Sequence, residues 1–178
     1  SSDIDIALVP FKHYILGEWI KYTGWGFTPL PRFFRKDMMR FTGRVHDYMH
    51  PVEGAHILSL AHTDDLCIHH FAYRDSFHFV EKMNKYTNLE AKKQFDRGAR
   101  FSVAKMFLAG MREFLVRGVI RRGYRDGMRG IVLATMMAFY RTLEHIKLWE
   151  LQTQQNGTVD ERYRNLRDEI LKEWQRPL

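Results

Sequence analysis

The spacing of apolar residues changes once along this chain, near Asp75, and no other feature constrains its fold as much. Upstream, short apolar runs are cut by Gly and Pro, as strands and turns require. The opening Ile4-Asp5-Ile6-Ala7-Leu8-Val9-Pro10 reads as a strand that joins a larger sheet, with Pro10 limiting how far it continues as a central one. Residues 38–45 and 55–60 read as two further short strands, separated by Pro51 and Gly54. Between the first strand and these, residues 13–35 mix glycines and prolines with Trp19, Trp25, Phe27, Phe33 and Phe34, and are expected to form a structured loop lined with rings.

Downstream the period becomes helical. Phe77, Val80, Glu81 and Asn84 follow a cap at Asp75 or Ser76. Phe101, Ala104, Leu108, Met111 and Leu115 lie on one helical face, widened by Phe107 and Phe114. A second helix is expected over about 130–152, and its nearly all-apolar first half points to burial or to lipid contact. The Asn156-Gly157 break and a Thr158 cap introduce a polar helix over about 159–174. The fold class expected is therefore α+β, with strands over 1–72 and a mainly helical region over 73–178.

The 178 residues suit one compact unit, and 45% hydrophobic with 14% aromatic content argues against disorder. The single cysteine, Cys67, excludes an internal disulfide framework and fits a reducing compartment. Cytoplasm is the expected location, since the chain shows no secretory signal pattern and no run of eighteen apolar residues. A net charge of +7 asks for an anionic partner: nucleic acid, acidic lipid or a phosphorylated substrate. Arg112, Arg117, Arg121, Arg122, Arg125 and Arg129 cluster around Gly118, Gly123, Gly127 and Gly130, where a solvated turn between helices is an equally good reading.

Three strings stand in a suggestive order: Gly24-Trp25-Gly26-Phe27-Thr28-Pro29-Leu30-Pro31-Arg32-Phe33-Phe34-Arg35, then Gly43-Arg44-Val45-His46-Asp47, then His69-His70-Phe71-Ala72-Tyr73. Together with Arg122-Gly123-Tyr124-Arg125-Asp126-Gly127, they resemble the acceptor-side half of family 2 glycosyltransferases of the lipopolysaccharide-core kind, over roughly residues 6 to 150. The resemblance implies that the strands complete a GT-A type sheet whose nucleotide-binding half lies upstream of these residues. It implies an inverting transfer from a nucleotide-sugar donor to a glycan or lipid-linked acceptor, in cell-envelope synthesis, at the inner face of the cytoplasmic membrane.

The same resemblance assigns roles. Asp47 is the general base, where the family more often has Glu; a turn aspartate before Pro51 is the plainer reading. His46 beside it, Arg32 and Arg35 are expected to bind substrate, and Trp25 and Phe27 to form an acceptor wall. The rings read equally well as core, and an arginine on an edge strand as simply solvated. His70 is expected to bind a Mg or Mn ion or the diphosphate, with His69 on the opposite face if the segment is a strand. Asp3-Ile4-Asp5 is not assigned the cation, and Asp64-Asp65 reads as a polar turn. The histidines at 46, 50, 56, 62, 69, 70 and 78 match no common zinc spacing.

Two other functions compete with this one. A non-catalytic basic helical module would bind an anionic membrane or nucleic acid, although no familiar nucleic-acid signature is present. Alternatively, the helices over 101–150 would drive self-assembly.

Overall fold

The computed structural model describes residues 3–41, 49–154 and 157–174, apart from the Glu173 side chain. The architecture is α+β: among the described residues, a small mixed sheet is followed by four α-helices. Strand β1 (Ile6–Ile15) is the centre of the sheet. On one side it pairs antiparallel with β3 (Thr28–Phe34) and β2 (Glu18–Trp19); on the other it pairs parallel with β6 (Ile57–Ser59) and β7 (Ile68–Tyr73). A separate ribbon joins β4 (Met39–Arg40) to β5 (His50–Pro51).

Pro10 does not end the strand, contrary to the sequence expectation. It stands opposite Pro29, and on the other flank it falls between the last β6 pairing, at Leu8, and the first β7 pairing, at Phe11. A missing N–H leaves no ladder partner stranded there. The aromatic segment 13–35 is likewise more regular than expected. It holds the end of β1, all of β2 and β3, and the two-residue turn Leu16-Gly17, whose φ values of 52° and 84° suit a tight hairpin. Of the strands expected over 38–45 and 55–60, the described residues hold β4 and β6, and residues 42–48 lie outside the described range.

Helix α1 (Ser76–Asp96) starts where the sequence indicates, capped by the Asp75 carboxylate accepting from the His78 N–H at 2.7 Å. Helix α2 (Val103–Leu115) runs into a wider turn over Val116–Ile120, and α3 (Gly127–Thr153) packs against both α1 and α2. Lys147 of α3 donates to the Asn84 carbonyl and to Thr87 Oγ1 of α1, at 2.8 and 2.7 Å. Helix α4 (Val159–Trp174) opens on a reciprocal cap: Glu161 N–H donates to Thr158 Oγ1, and Thr158 N–H to Glu161 Oε2.

The sheet and the helices share one core. Ile15, Ile20 and Ala72 from the strand region meet Phe79, Met83 and Leu133 from α1 and α3. Among the described residues, no helix is long and apolar enough to cross a membrane.

The glycine and arginine segment closes this core against the aromatic loop. Asp126 accepts from the backbone N–H groups of Lys21 and Tyr22 at 3.0 and 2.9 Å. Arg117 donates to the Thr23 carbonyl at 2.7 Å, and Arg129 to the Leu16 carbonyl at 3.1 Å. A side chain at Gly130 would run into the Gly123 carbonyl, so the backbones can meet only without one.

Candidate functional site

Alternation along β1 sends Phe11, His13 and Ile15 to one face of the sheet and Lys12 and Tyr14 to the other. The parallel register sets His13 beside His70 and Lys12 beside His69. His69 and His70 therefore do part to opposite faces. His69 stacks on Tyr14 with ring centroids 5.6 Å apart, while the His13 and His70 rings meet edge to face at 5.1 Å.

On the His13 face, the two Nδ1 atoms lie 3.0 Å apart, so one imidazole donates and the other accepts. Burial, then the charge of His70, pushes His13 down to about 4. Burial, then the nearby charges of Lys82 and Arg32, also lowers His70. Both rings are thus neutral at pH 7. Arg32 sits over the Phe11 ring with its guanidinium carbon 4.5 Å from the centroid, and Phe11 also touches the edge of His70. The cluster is two neutral imidazoles with two cations beside them and no described carboxylate bonded to either ring: an arrangement that attracts an anion.

Lys82 links this cluster to a second feature. It donates to the Ala72 carbonyl at 3.2 Å and lies 5.2 Å from the Tyr73 ring centroid. Tyr73 helps to line a cavity of about 400 Å³, together with Trp25, Met83, Tyr86, Tyr140 and Arg117. Burial holds the Tyr73 hydroxyl protonated well into the alkaline range, and burial with Glu144 pushes Tyr140 up to about 12. Arg117 lies over the Trp25 ring at 4.5 Å and pairs with Glu113. Aromatic faces with tyrosine hydroxyls can hold a polar ring such as a sugar. Three residues of extended chain, roughly 10 Å, separate His70 from Tyr73 along β7.

The sequence candidates divide accordingly. Arg32 and His70 come together, and Trp25 lines the cavity. Phe27 is elsewhere, packed on Trp19 at 5.3 Å and His62 at 5.5 Å, on the Lys12 side of the sheet, so it shares no wall with Trp25. Arg35 lies 3.6 Å from the buried Asp5 and 3.8 Å from Asp37, at the far end of β1. Asp5 also accepts from the His56 N–H at 3.0 Å, which gives the Asp3-Ile4-Asp5 string a structural use. Asp64 pairs with Lys12 at 2.6 Å. His46 and Asp47 fall between β4 and β5, outside the described residues.

His13, Lys82 and Tyr140 escaped the sequence reading. His13 has no motif around it, and only the alternation Phe11-His13-Ile15 within a longer strand would have shown it facing His70. Among the described residues no group of three or more His, Cys, Asp or Glu converges to hold a metal ion. The chain matches no protein-family model, and no solved structure matches it.

Proposed function

We propose that this chain is the acceptor-side portion of an inverting glycosyltransferase, working with an upstream nucleotide-binding half on a nucleotide-sugar donor and a glycan or lipid-linked acceptor. The observation that carries the reading is the His13–His70 pair beside Arg32 and Lys82. It offers hydrogen-bond donors and positive charge to a diphosphate, three residues along β7 from Tyr73, which lines an aromatic cavity. The motif order in the sequence supports the same reading.

Transfer needs a base for the acceptor hydroxyl and stabilisation of the departing diphosphate. In this proposal Asp47 takes the acceptor proton. Arg32 and the two imidazoles bind the phosphate oxygens, Lys82 adds charge, and Trp25 with Tyr140 orients the acceptor ring. His70, neutral at pH 7, also retains the chemistry of a metal ligand. Mg or Mn prefers about six oxygen-rich ligands, and the described charges beside His70 are the cations Lys82 and Arg32, so His70 could hold the ion only with oxygens supplied by the diphosphate and the upstream half. Bound there, the ion would neutralise charge on the leaving group.

Calorimetric titration with inorganic pyrophosphate tests the anion site on this chain directly. Binding is expected, weakened about tenfold or more by Arg32→Ala and by His70→Ala, a loss of ~1.4 kcal/mol or more. Absence of binding would remove the basis of the proposal. For the reaction itself, the native protein should carry about 100 further residues upstream and transfer sugar from a nucleotide donor. Asp47→Asn should abolish that transfer while leaving pyrophosphate affinity unchanged.

A further inference from the structure

Helix α2 leaves uncovered an apolar face larger than a solvated helix needs. Its inner side, with Met106, Gly110 and Glu113, lies against α3; a side chain at Gly110 would meet Thr142 and the Ala138 carbonyl. The opposite arc carries Phe107, Leu108, Met111 and Leu115, exposed at 65%, 56%, 57% and 46%. At 100° per residue these four share one side of the helix, and Val103 and Phe114 extend it. Val119 and Ile120, at 57% and 71%, carry the apolar surface into the following turn.

What surrounds this face identifies its partner. From residue 97 to 125 the chain has eight Lys or Arg and one acid, Glu113. That acid is occupied by Arg117 and Arg141. Lys105 and Arg112 stand along the edge of the apolar arc, and Arg121, Arg122 and Arg125 follow it, all exposed. A second apolar stripe, on α4, shows the contrast. Val159, Tyr163, Leu166, Ile170 and Trp174 are exposed there too, but Asp160, Glu161, Asp168 and Glu169 alternate with the basic residues, so nothing in its charge favours an acidic partner.

We infer that α2 and the turn after it, Val103 to Ile120, form a docking surface for a membrane containing anionic lipid. The helical run lies flat in the headgroup region, with Phe107, Leu108 and Met111 inserted among the acyl chains. Lys105, Arg112 and the arginines at 121, 122 and 125 meet lipid phosphates. Eighteen helical residues cover roughly 27 Å of surface, and no described helix spans the bilayer. Basic charge and insertion act together, because one weak anchor alone gives only marginal binding. This surface stands without the sugar-transfer reading. If both hold, the acceptor is lipid-linked.

Co-sedimentation with vesicles of phosphatidylcholine, with and without phosphatidylglycerol, tests it. The chain should bind the anionic vesicles and not the neutral ones, and release as salt rises. Phe107→Ser with Met111→Ser should cut binding by about tenfold or more, and Lys105→Glu with Arg112→Glu likewise, each change near a headgroup being worth roughly fivefold. Thermal unfolding should show both variants folded, since none of the four residues is buried. Binding that ignores either pair overturns the inference, as does equal binding to neutral vesicles or none to either. A chain that is dimeric in gel filtration, becomes monomeric in the serine variant and never binds vesicles would assign the face to a second copy instead. Pyrophosphate binding by the serine variant should match wild type, which separates failure of this surface from failure of the anion site.

Discussion

Helices α1 and α2 both pack on α3, yet they treat their apolar residues in opposite ways. Helix α1 buries Phe79, Met83 and Ala91 against β1, β7 and α3, where Ile15, Ala72 and Leu133 complete the core. Helix α2 has only Gly110 buried and turns its phenylalanines, leucines and Met111 outward. The more strongly amphipathic of the two is thus the one whose apolar side the fold does not use. A sharp apolar stripe states that something covers a helix, and only the neighbours decide whether that is the protein itself.

The largest test of the contrast is the pair of phenylalanines. Phe79, 2% exposed, touches Tyr73 at a centroid distance of 4.6 Å and stands in the middle of the shared core. Phe79→Ala should destabilise the chain by about 3–5 kcal/mol, through lost burial and the cavity left behind. Phe107→Ala should change it by less than about 0.5 kcal/mol. Denaturant unfolding of both variants gives the ratio directly. Comparable losses would mean that α2 is covered in solution and that the contrast is false.

Next in size is the contact that lets α2 approach α3 at all. At Gly110 a side chain meets Thr142 Oγ1, which itself donates to the Ala138 carbonyl at 3.1 Å. Gly110→Val should cost about 1–3 kcal/mol by overpacking and poorer helix propensity within a close helix pair. A neutral result would show that α2 can move off α3 freely, and that its outer face is not fixed by the core.

Much of this architecture is legible in the sequence. The change of period at Asp75, the Asp75 and Thr158 caps, and the polar terminal helix all depend on residues close together in the chain, where local chemistry decides. The central role of β1 was hidden because Pro10 is tolerated only where β6 ends and β7 has not begun, a fact of long-range register. His13 was hidden for the same reason: its partner is 57 residues away. Trp25 and Phe27 illustrate another limit. Two rings two residues apart share a side in a strand, but the chain turns between them, and they reach opposite faces of the sheet. The arginine cluster divides similarly: Arg117 and Arg129 are spent on backbone carbonyls, while Arg112 and Arg122 face solvent.

The His13 end of β1 adds a pH signature. His13 is held at about 4 against an ordinary 6.5, so the folded chain refuses a proton that the unfolded chain accepts between those values. Its contribution to stability is whole above about pH 6.5 and is lost as pH falls towards 4. The cost is about 1–2 kcal/mol once solvent access is allowed for. His13→Gln should flatten that part of the pH profile. Pyrophosphate should have the reverse dependence, binding more tightly as pH falls from 7.5 to 6, because an anion at the pair favours the charged imidazole. A pH dependence of binding that is unchanged in His13→Gln and His70→Ala would place the anion away from the pair.

The smallest expected change in stability returns to α2. With Phe107 and Met111 both replaced by serine, the helix loses little folding free energy, since neither side chain leaves a cavity, and serine costs only about 0.5 kcal/mol per site in helix propensity. Their removal should instead make the chain less prone to associate at high concentration, because the apolar patch is what a second molecule would find. Light scattering over a concentration series reads this without lipid. A fall in self-association with an unchanged unfolding midpoint would show that these side chains serve a partner rather than the fold. A midpoint lowered as far as that of Phe79→Ala would show that the outer face of α2 is core after all.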